Sequence, residues 1–223
     1  MSQAVILFAR APSAAGKTRL TADLPPDSAR SLREALLLDT LDAVRTSGVA
    51  ITVFYDPAGA GDELRALIPD LPLRPQRGDT LGERMQRAID GLMDAGAQSV
   101  VLIGSDLPAL PPPRVAEAFA ALARGAECVL GPSPDGGYYL IGLAASASPR
   151  HVALFDDIAW GTSSVFEQTL LAARGAGFEP IILLEHADVD RAEDLAELAS
   201  SAHAGRTSFW VQAHQYSFEL HKK

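Results

Sequence analysis

Four clusters of polar residues stand at the ends of apolar runs, where side chains are free to do chemistry. ARAPSAAGKTRL follows the run AVILF and gathers Arg10, Lys17 and Arg19, a set of cations suited to a diphosphate or triphosphate. SVVLIG leads into SDLPALPPP and leaves Asp106 just past its end. A carboxylate there can ligate Mg²⁺ or Mn²⁺, because hard cations prefer oxygen ligands and bridge to substrate phosphates; the alternative is a cap on the turn or on the following helix. SPDGG places Asp135 before Gly136 and Gly137, a turn sequence that accepts positive φ, and delivers Tyr138 and Tyr139 into the next run. ADVDRAEDLAEL offers Asp188 and Asp190. Asp190 is the expected second metal contact, although Asp190 to Glu193 also reads as a capping box. The chemistry these groups suit is charge neutralisation and in-line positioning at phosphorus. The five histidines lack metal-ligand spacing, and no Ser-His-Asp arrangement is visible.

The stretch Ala11 to Thr18 comes within one glycine of a nucleotide-binding P-loop. That loop wraps phosphate in backbone N–H groups, yet here the first glycine is Ala11 and Pro12 has no N–H. Its partner acid would directly follow an apolar strand, whereas Gly104 and Ser105 separate Ile103 from Asp106. A P-loop NTPase is therefore the weaker reading.

The elements that must position these groups alternate. AVILF, AITVFY, SVVLIG, ECVLG, YYLIGL and PIILL are short and nearly continuous, as strands buried on both faces are. Between them run SARSLREALLLDTLDAVRTSG, TLGERMQRAIDGLMDAG, PPPRVAEAFAALARG and SSVFEQTLLAARGAG, with apolar residues at three and four spacing and several ending at Gly. Alternation of this kind implies a three-layer α/β/α sandwich with a mostly parallel sheet, whose ligand site lies outside the carboxyl ends of the strands. The expected organisation is a single domain over residues 1–200 and a tail over 201–223. Phe209, Trp210, Tyr216 and Phe218 make that tail aromatic, which suits a docking segment or a self-association surface.

The chain has 223 residues and a formal net charge of −9, a balance that argues against a nucleic-acid partner. No apolar run is long enough for a membrane helix and the N-terminus lacks signal-peptide features, so the expected location is cytoplasmic. The single cysteine, Cys128, sits in an apolar stretch and is expected to be a buried thiol.

Taken in order, FARAPxxxGKTRL, QRGDTLGERM, GSDLPALP, GPSPDGGYYLIGL and WGTSSVFEQTL resemble a bacterial family labelled glycosyltransferase, some of whose members are assigned to arsenosugar biosynthesis. More distantly, the chain is similar to the guanylyltransferases of molybdenum cofactor and phospholactate metabolism. The resemblance covers roughly residues 4–198 and implies a GT-A, nucleotide-diphospho-sugar transferase fold of Rossmann-like form. It puts Arg10, Gly16, Lys17 and Arg19 at the phosphates and Asp106 on the metal, with Lys17, Arg19 and Asp106 as the catalytic set. Gln76, Gly78, Leu81 and Gly82 would line the base or ribose, although Gly82 to Met85 also suits an ordinary helix start. Asp135, Gly136, Gly137, Tyr138 and Trp160 would meet the acceptor; Thr162 to Ser164 suit a helix cap.

The implied protein is a metal-dependent transferase, using Mg²⁺ or Mn²⁺, that binds a nucleotide or nucleotide-sugar and passes a nucleotidyl or glycosyl group to a small-molecule acceptor. Glycosyltransferases of this fold usually carry D-x-D at the metal, and Gly104 occupies the first position here, which favours nucleotidyl transfer, whereas the family label favours glycosyl transfer. The alternative is a degenerate nucleotide-binding regulatory protein without turnover. A homo-oligomer is compatible with the aromatic tail.

Overall fold

The computed structural model describes residues 2–15, 18–200 and 205–219, without the side chains of 18, 199–200 and 215–219. Along the chain lie β1 (Gln3–Arg10), α1 (Thr18–Thr21), α2 (Pro26–Arg45), β2 (Ala50–Asp56), α3 (Gly61–Leu67), β3 (Leu73–Pro75), α4 (Leu81–Met93) and β4 (Ser99–Gly104). The second half supplies α5 (Arg114–Ala123), β5 (Cys128–Pro132), β6 (Tyr138–Ala144), α6 (Val165–Gly175), β7 (Ile181–Ile182), α7 (Ala192–Ser200) and α8 (Arg206–Glu219).

The strands form one sheet in the order β3-β2-β1-β4-β6-β5-β7. All run parallel except β6, which is antiparallel to both β4 and β5. Because strand side chains alternate between faces, Leu7, Val53 and Ile103 pack on one side against α2, α3 and α5. Ile6, Phe54 and Leu102 pack on the other against α4 and the Leu154–Phe155 segment. The result is the expected three-layer sandwich. β7 departs from expectation: it is the sheet edge, two residues long, and Ile181 and Ile182 are exposed. Cys128 is buried and free, and burial pushes its thiol up to about 12. Among the described residues no helix is long and apolar enough to cross a membrane.

The tail docks as a helix. Leu32 and Leu36, on the outer side of α2, meet Leu195 of α7 and Trp210 and Val211 of α8 in a third cluster. The α8 N-terminus is held by the buried Asp39 carboxylate, which accepts from Arg206 N at 2.9 Å and Thr207 N at 2.7 Å. An anion satisfying the first amides of a helix also complements its dipole. Trp210 Nε1 donates to Ser31 Oγ at 2.8 Å. Phe209 is exposed, and the side chains of Tyr216 and Phe218 lie outside the described residues.

Candidate active site

Parallel strands bring their carboxyl ends to one rim of the sheet, and the reversed β6 brings its amino end, Tyr138, to that same rim. Two clefts open there and share Gly104 and Asp106. One, of about 310 Å³, is lined by Arg10, Arg33 and Arg84 with Asp56 and Asp106 as its acids. The other, of about 200 Å³, is lined by Asp106, Asp135 and Asp188 together with Ser133, Tyr138 and Tyr139. Its described lining contains no Lys or Arg.

In the basic lobe each group stands on a regular element. Arg10 and Asp56 end β1 and β2, whose register pairs them. Asp56 lies between two guanidinium groups, 3.9 Å from Arg10 Nη2 and 3.4 Å from Arg84 Nη1. Arg84 Nε also donates to Gly78 O at 2.9 Å. Arg33 reaches from α2 and donates to Pro12 O and to Thr21 Oγ1, each at 2.9 Å. Burial and the neighbouring Arg10 cation lower its pKa, but a guanidinium stays charged in proteins. Among the described residues, three cations against two acids make the lobe attractive to an anion. Gln76 also lines this lobe, its Nε2 donating to Phe54 O at 3.0 Å.

Asp106 sits two residues past β4 on a loop fixed from both sides. Leu107 N donates to Thr40 Oγ1 of α2 at 2.9 Å, and Val189 N donates to Asp106 O at 2.9 Å. The second bond draws Asp188 to the acidic lobe. The glycine at 104 has a spatial reason: a Cβ there would stand 2.8 Å from Asp106 Oδ1. A D-x-D sequence would therefore need a different carboxylate position.

The β5–β6 turn builds the rest of the acidic lobe. Asp135 Oδ1 accepts from Gly137 N at 2.9 Å, Gly136 N donates to Ser133 O at 3.1 Å, and Ser133 N donates to Gly137 O at 3.0 Å. Gly136 has φ +87°, and a Cβ on it would run into the Ser163 carbonyl, so only glycine fits. Tyr138 contributes its ring; its hydroxyl is buried, and burial raises its pKa. Behind the lobe Tyr139 Oη donates to Leu184 O at 3.1 Å, and burial, partly offset by the Arg114 cation, pushes it up to about 12. Burial and Arg114 likewise lower the pKa of His186, whose ring meets Tyr139 edge to face at 5.6 Å.

The structure thus brings Arg10, Gln76 and Leu81 to the basic lobe, Asp106 to the junction, and Asp135, Gly137 and Tyr138 to the acidic lobe. Gly16 and Lys17 lie outside the described residues. Arg19 is exposed and pairs with Asp190 Oδ2 at 3.5 Å, so Asp188 rather than Asp190 lines the lobe beside Asp106. The cap on α7 also differs by one residue from the expected box: Asp194, not Glu193, accepts from Asp190 N at 2.8 Å and Arg191 N at 2.7 Å. Gly78 has φ +136° in the turn before α4. Gly82 is buried in α4, where a Cβ would meet Phe155 O at 2.5 Å and Trp160 Nε1 at 2.8 Å. Trp160 is wedged between Gly82 and the Tyr138 ring, outside the lining of both lobes. Ser164 precedes α6 without capping it, its hydroxyl engaged with Thr162 Oγ1 and Gln168 Nε2.

Sequence reasoning missed Arg33, Arg84, Asp56 and Ser133. Asp56 carried a signal, since it ends a β run as Arg10 does. In the loop after β1, Ala11 N donates to Asp56 O, Ser13 N to Glu63 Oε1 and Ala14 N to Ala11 O, so these three amides are already engaged.

The donor set suits a cation that arrives with its substrate. Among the described residues no three His, Cys, Asp or Glu side chains are grouped closely enough to hold a metal alone. Three carboxylates, Asp106, Asp135 and Asp188, line the same lobe without forming such a group, and Mg²⁺ completes sparse sets with water and phosphate oxygens.

A sheet of this order with a cation-lined cleft at its carboxyl rim defines a nucleotidyltransferase-like transferase of the nucleotide-diphospho-sugar transferase fold. Residues 40–162 match the family described as uncharacterized protein conserved in bacteria (DUF2064), and the chain belongs to that family. It is 33% identical to the phosphoenolpyruvate guanylyltransferase of Salinispora arenicola over 86% of each chain. It is 29% identical to the 2-phospho-L-lactate guanylyltransferase of Halorubrum lacusprofundi over 88% of this chain and 86% of that one. The match to the phosphoenolpyruvate guanylyltransferase of Geodermatophilus obscurus, 34% identical over 109 residues, spans 48% of each. Among solved structures, a candidate nucleotide-diphospho-sugar transferase from Desulfovibrio desulfuricans G20 is similar with a TM-score of 0.89 and 30% identity, over 99% of this chain and 98% of that one. The guanylyltransferase resemblance drawn from the sequence is therefore carried by named relatives over most of the chain. The glycosyltransferase label finds support in the fold and not in those names.

Proposed function

We propose that the protein is a divalent-metal-dependent nucleotidyltransferase that couples a nucleoside triphosphate, GTP by analogy with its named relatives, to a small phosphorylated acceptor. The observation that carries this reading is Asp106 at the junction of a three-arginine lobe and a carboxylate lobe. The nucleotide lies in the basic lobe with its base toward Gln76 and Leu81 and its phosphates toward Arg10, Arg33 and Arg84. The resemblance of ARAPSAAGKTRL adds Lys17 and Arg19 at the leaving group. An acceptor phosphate oxygen attacks the α-phosphorus from the acidic lobe. A new P–O bond forms as the α–β bridging P–O bond breaks, and pyrophosphate leaves with the electron pair toward the guanidinium groups. Asp106 and Asp188 would hold Mg²⁺ or Mn²⁺, which supplies charge neutralisation at the phosphates when bound. Gly104 in the first D-x-D position supports nucleotidyl over glycosyl transfer.

The test is a thermal-shift panel of the four nucleoside triphosphates, with Mg²⁺, with Mn²⁺ and with EDTA, on wild type and Asp106→Ala. A nucleotide at about 100 times its Kd adds roughly 2.7 kcal/mol of stability. A metal-dependent shift that Asp106→Ala abolishes is expected. No shift from any nucleotide would reject the reading.

A further inference from the structure

No described residue of α8 lines either lobe, yet both lobes lean on the apolar cluster that this helix closes. We infer that docking of α8 positions the active site, with Trp210 as a positioning residue that acts on Asp106 through Val189 and on the basic lobe through Leu36. This role rests on the nucleotidyl-transfer reading for what the site binds, and concerns what holds the site in shape.

Val189 joins the acidic lobe to the cluster. Its side chain, 5% exposed, belongs to the group that contains Leu195 and Leu198 of α7 and Trp210 and Val211 of α8. Its amide donates to Asp106 O at 2.9 Å, and its neighbour Asp188 lines the lobe. One residue therefore serves the cluster with its side chain and the site with its backbone, so a shift in the first reaches the second.

Helix α2 makes the other connection. Residues three and four apart are neighbours on a helix surface, so positions 32, 36 and 39 form one stripe and positions 33, 36 and 40 the next. The first stripe meets α8: Leu32 and Leu36 belong to the cluster, and Asp39 holds the Arg206 and Thr207 amides. The second meets the site: Arg33 and Leu36 line the basic lobe, and Thr40 Oγ1 accepts from Leu107 N, next to Asp106. Leu36 stands in both stripes. Trp210 has the largest side chain in the cluster and is fixed on two sides, by the bond from Nε1 to Ser31 Oγ at 2.8 Å and by the His214 ring stacked on it at 4.0 Å. Truncating it would open a cavity into which the neighbouring side chains relax in part. Coupling between two sites is reciprocal: if docked α8 favours the bound site, a bound site favours docked α8.

Two measurements on the full chain test this. Amide hydrogen exchange over residues 207–214 is followed in the free protein, with GTP and EDTA, and with GTP and Mg²⁺. Peripheral segments open at lower cost than the core, and coupling should slow their exchange about tenfold with GTP and Mg²⁺. In parallel, Trp210→Ala should bind GTP and Mg²⁺ about tenfold more weakly at a temperature where circular dichroism shows it folded, while Trp210→Phe, which keeps a packed ring, should stay close to wild type. A helix with a structural role alone would lower the melting temperature of Trp210→Ala and leave the affinity of the folded protein unchanged. Exchange in α8 that ignores a nucleotide the wild type binds, or wild-type affinity in folded Trp210→Ala, would overturn the inference; if Trp210→Ala does not fold, exchange in the wild type decides. Absence of any nucleotide-dependent thermal shift in the wild type would overturn the nucleotidyl reading itself, and the inference with it.

Discussion

The two lobes share a rim and an aspartate yet are assembled differently. The basic lobe draws its charges from regular elements: Arg10 and Asp56 end strands, and Arg33 and Arg84 stand on helices. The acidic lobe draws its groups from connections: Asp106 past β4, Ser133 and Asp135 in the β5–β6 turn, Asp188 between β7 and α7. Groups on packed strands and helices are held rigidly, whereas loops accept sequence change without cost to the core. On the proposed reading, the half that would meet the nucleotide is anchored in the scaffold, and the half that would meet the acceptor sits on the segments easiest to vary. Asp106 belongs to both descriptions, a loop residue pinned by Thr40 and Val189.

The largest effect is expected where the halves join. In Gly104→Ala the new Cβ would meet, among the described residues, only the end of the Asp106 side chain within 4 Å, so the carboxylate moves and the backbone does not. Displacing a catalytic group by about an ångström costs on the order of a hundredfold in rate. Turnover should fall by about that much while the melting temperature holds. Unchanged turnover would show that the position of this carboxylate is not critical.

Gly82→Ala separates scaffold from ligand contact. Its Cβ would press on Phe155 O and Trp160, and overpacking of this kind costs about 1–3 kcal/mol, offset in part by the helix preference of alanine, roughly 1 kcal/mol. A lower melting temperature with unaltered nucleotide affinity is expected. Weakened nucleotide binding at full stability would instead restore Gly82 to the base or ribose side.

How much of this was legible follows from the same division. Long continuous runs such as SVVLIG announced buried strands, and a carboxylate after such a run announced a site. β3 escaped notice because it is three residues at an edge, preceded by Pro72 and ending in Pro75, and α3 because only Leu64 of its seven residues is buried. α8 depends on Asp39, 167 residues away from Arg206, a contact no local pattern records. Arg33 and Arg84 were hidden by periodicity itself, since a charged residue on an amphipathic helix looks like solvated surface until the sheet rim is built beside it. Asp188 and Asp190 differ only in which way the chain faces, and that is decided by the Val189 amide reaching Asp106.

The smallest expected effect probes the basic lobe alone. Arg33→Met removes one of three cations and also two bonds, to Pro12 O and Thr21 Oγ1, that hold the loop after β1 to α2. If the cation serves the nucleotide, affinity for GTP should fall about tenfold, or roughly 1.4 kcal/mol, and binding should become less sensitive to salt, because one fewer partly screened charge attracts the triphosphate. If it only buttresses the loop, stability falls and the salt dependence of binding does not change. Arg10 and Arg33 are like charges lining one lobe, so losing one guanidinium weakens the complex with a triphosphate more than it weakens the free protein. A melting temperature that drops less without nucleotide than with saturating GTP is the signature expected of an arginine that serves the ligand.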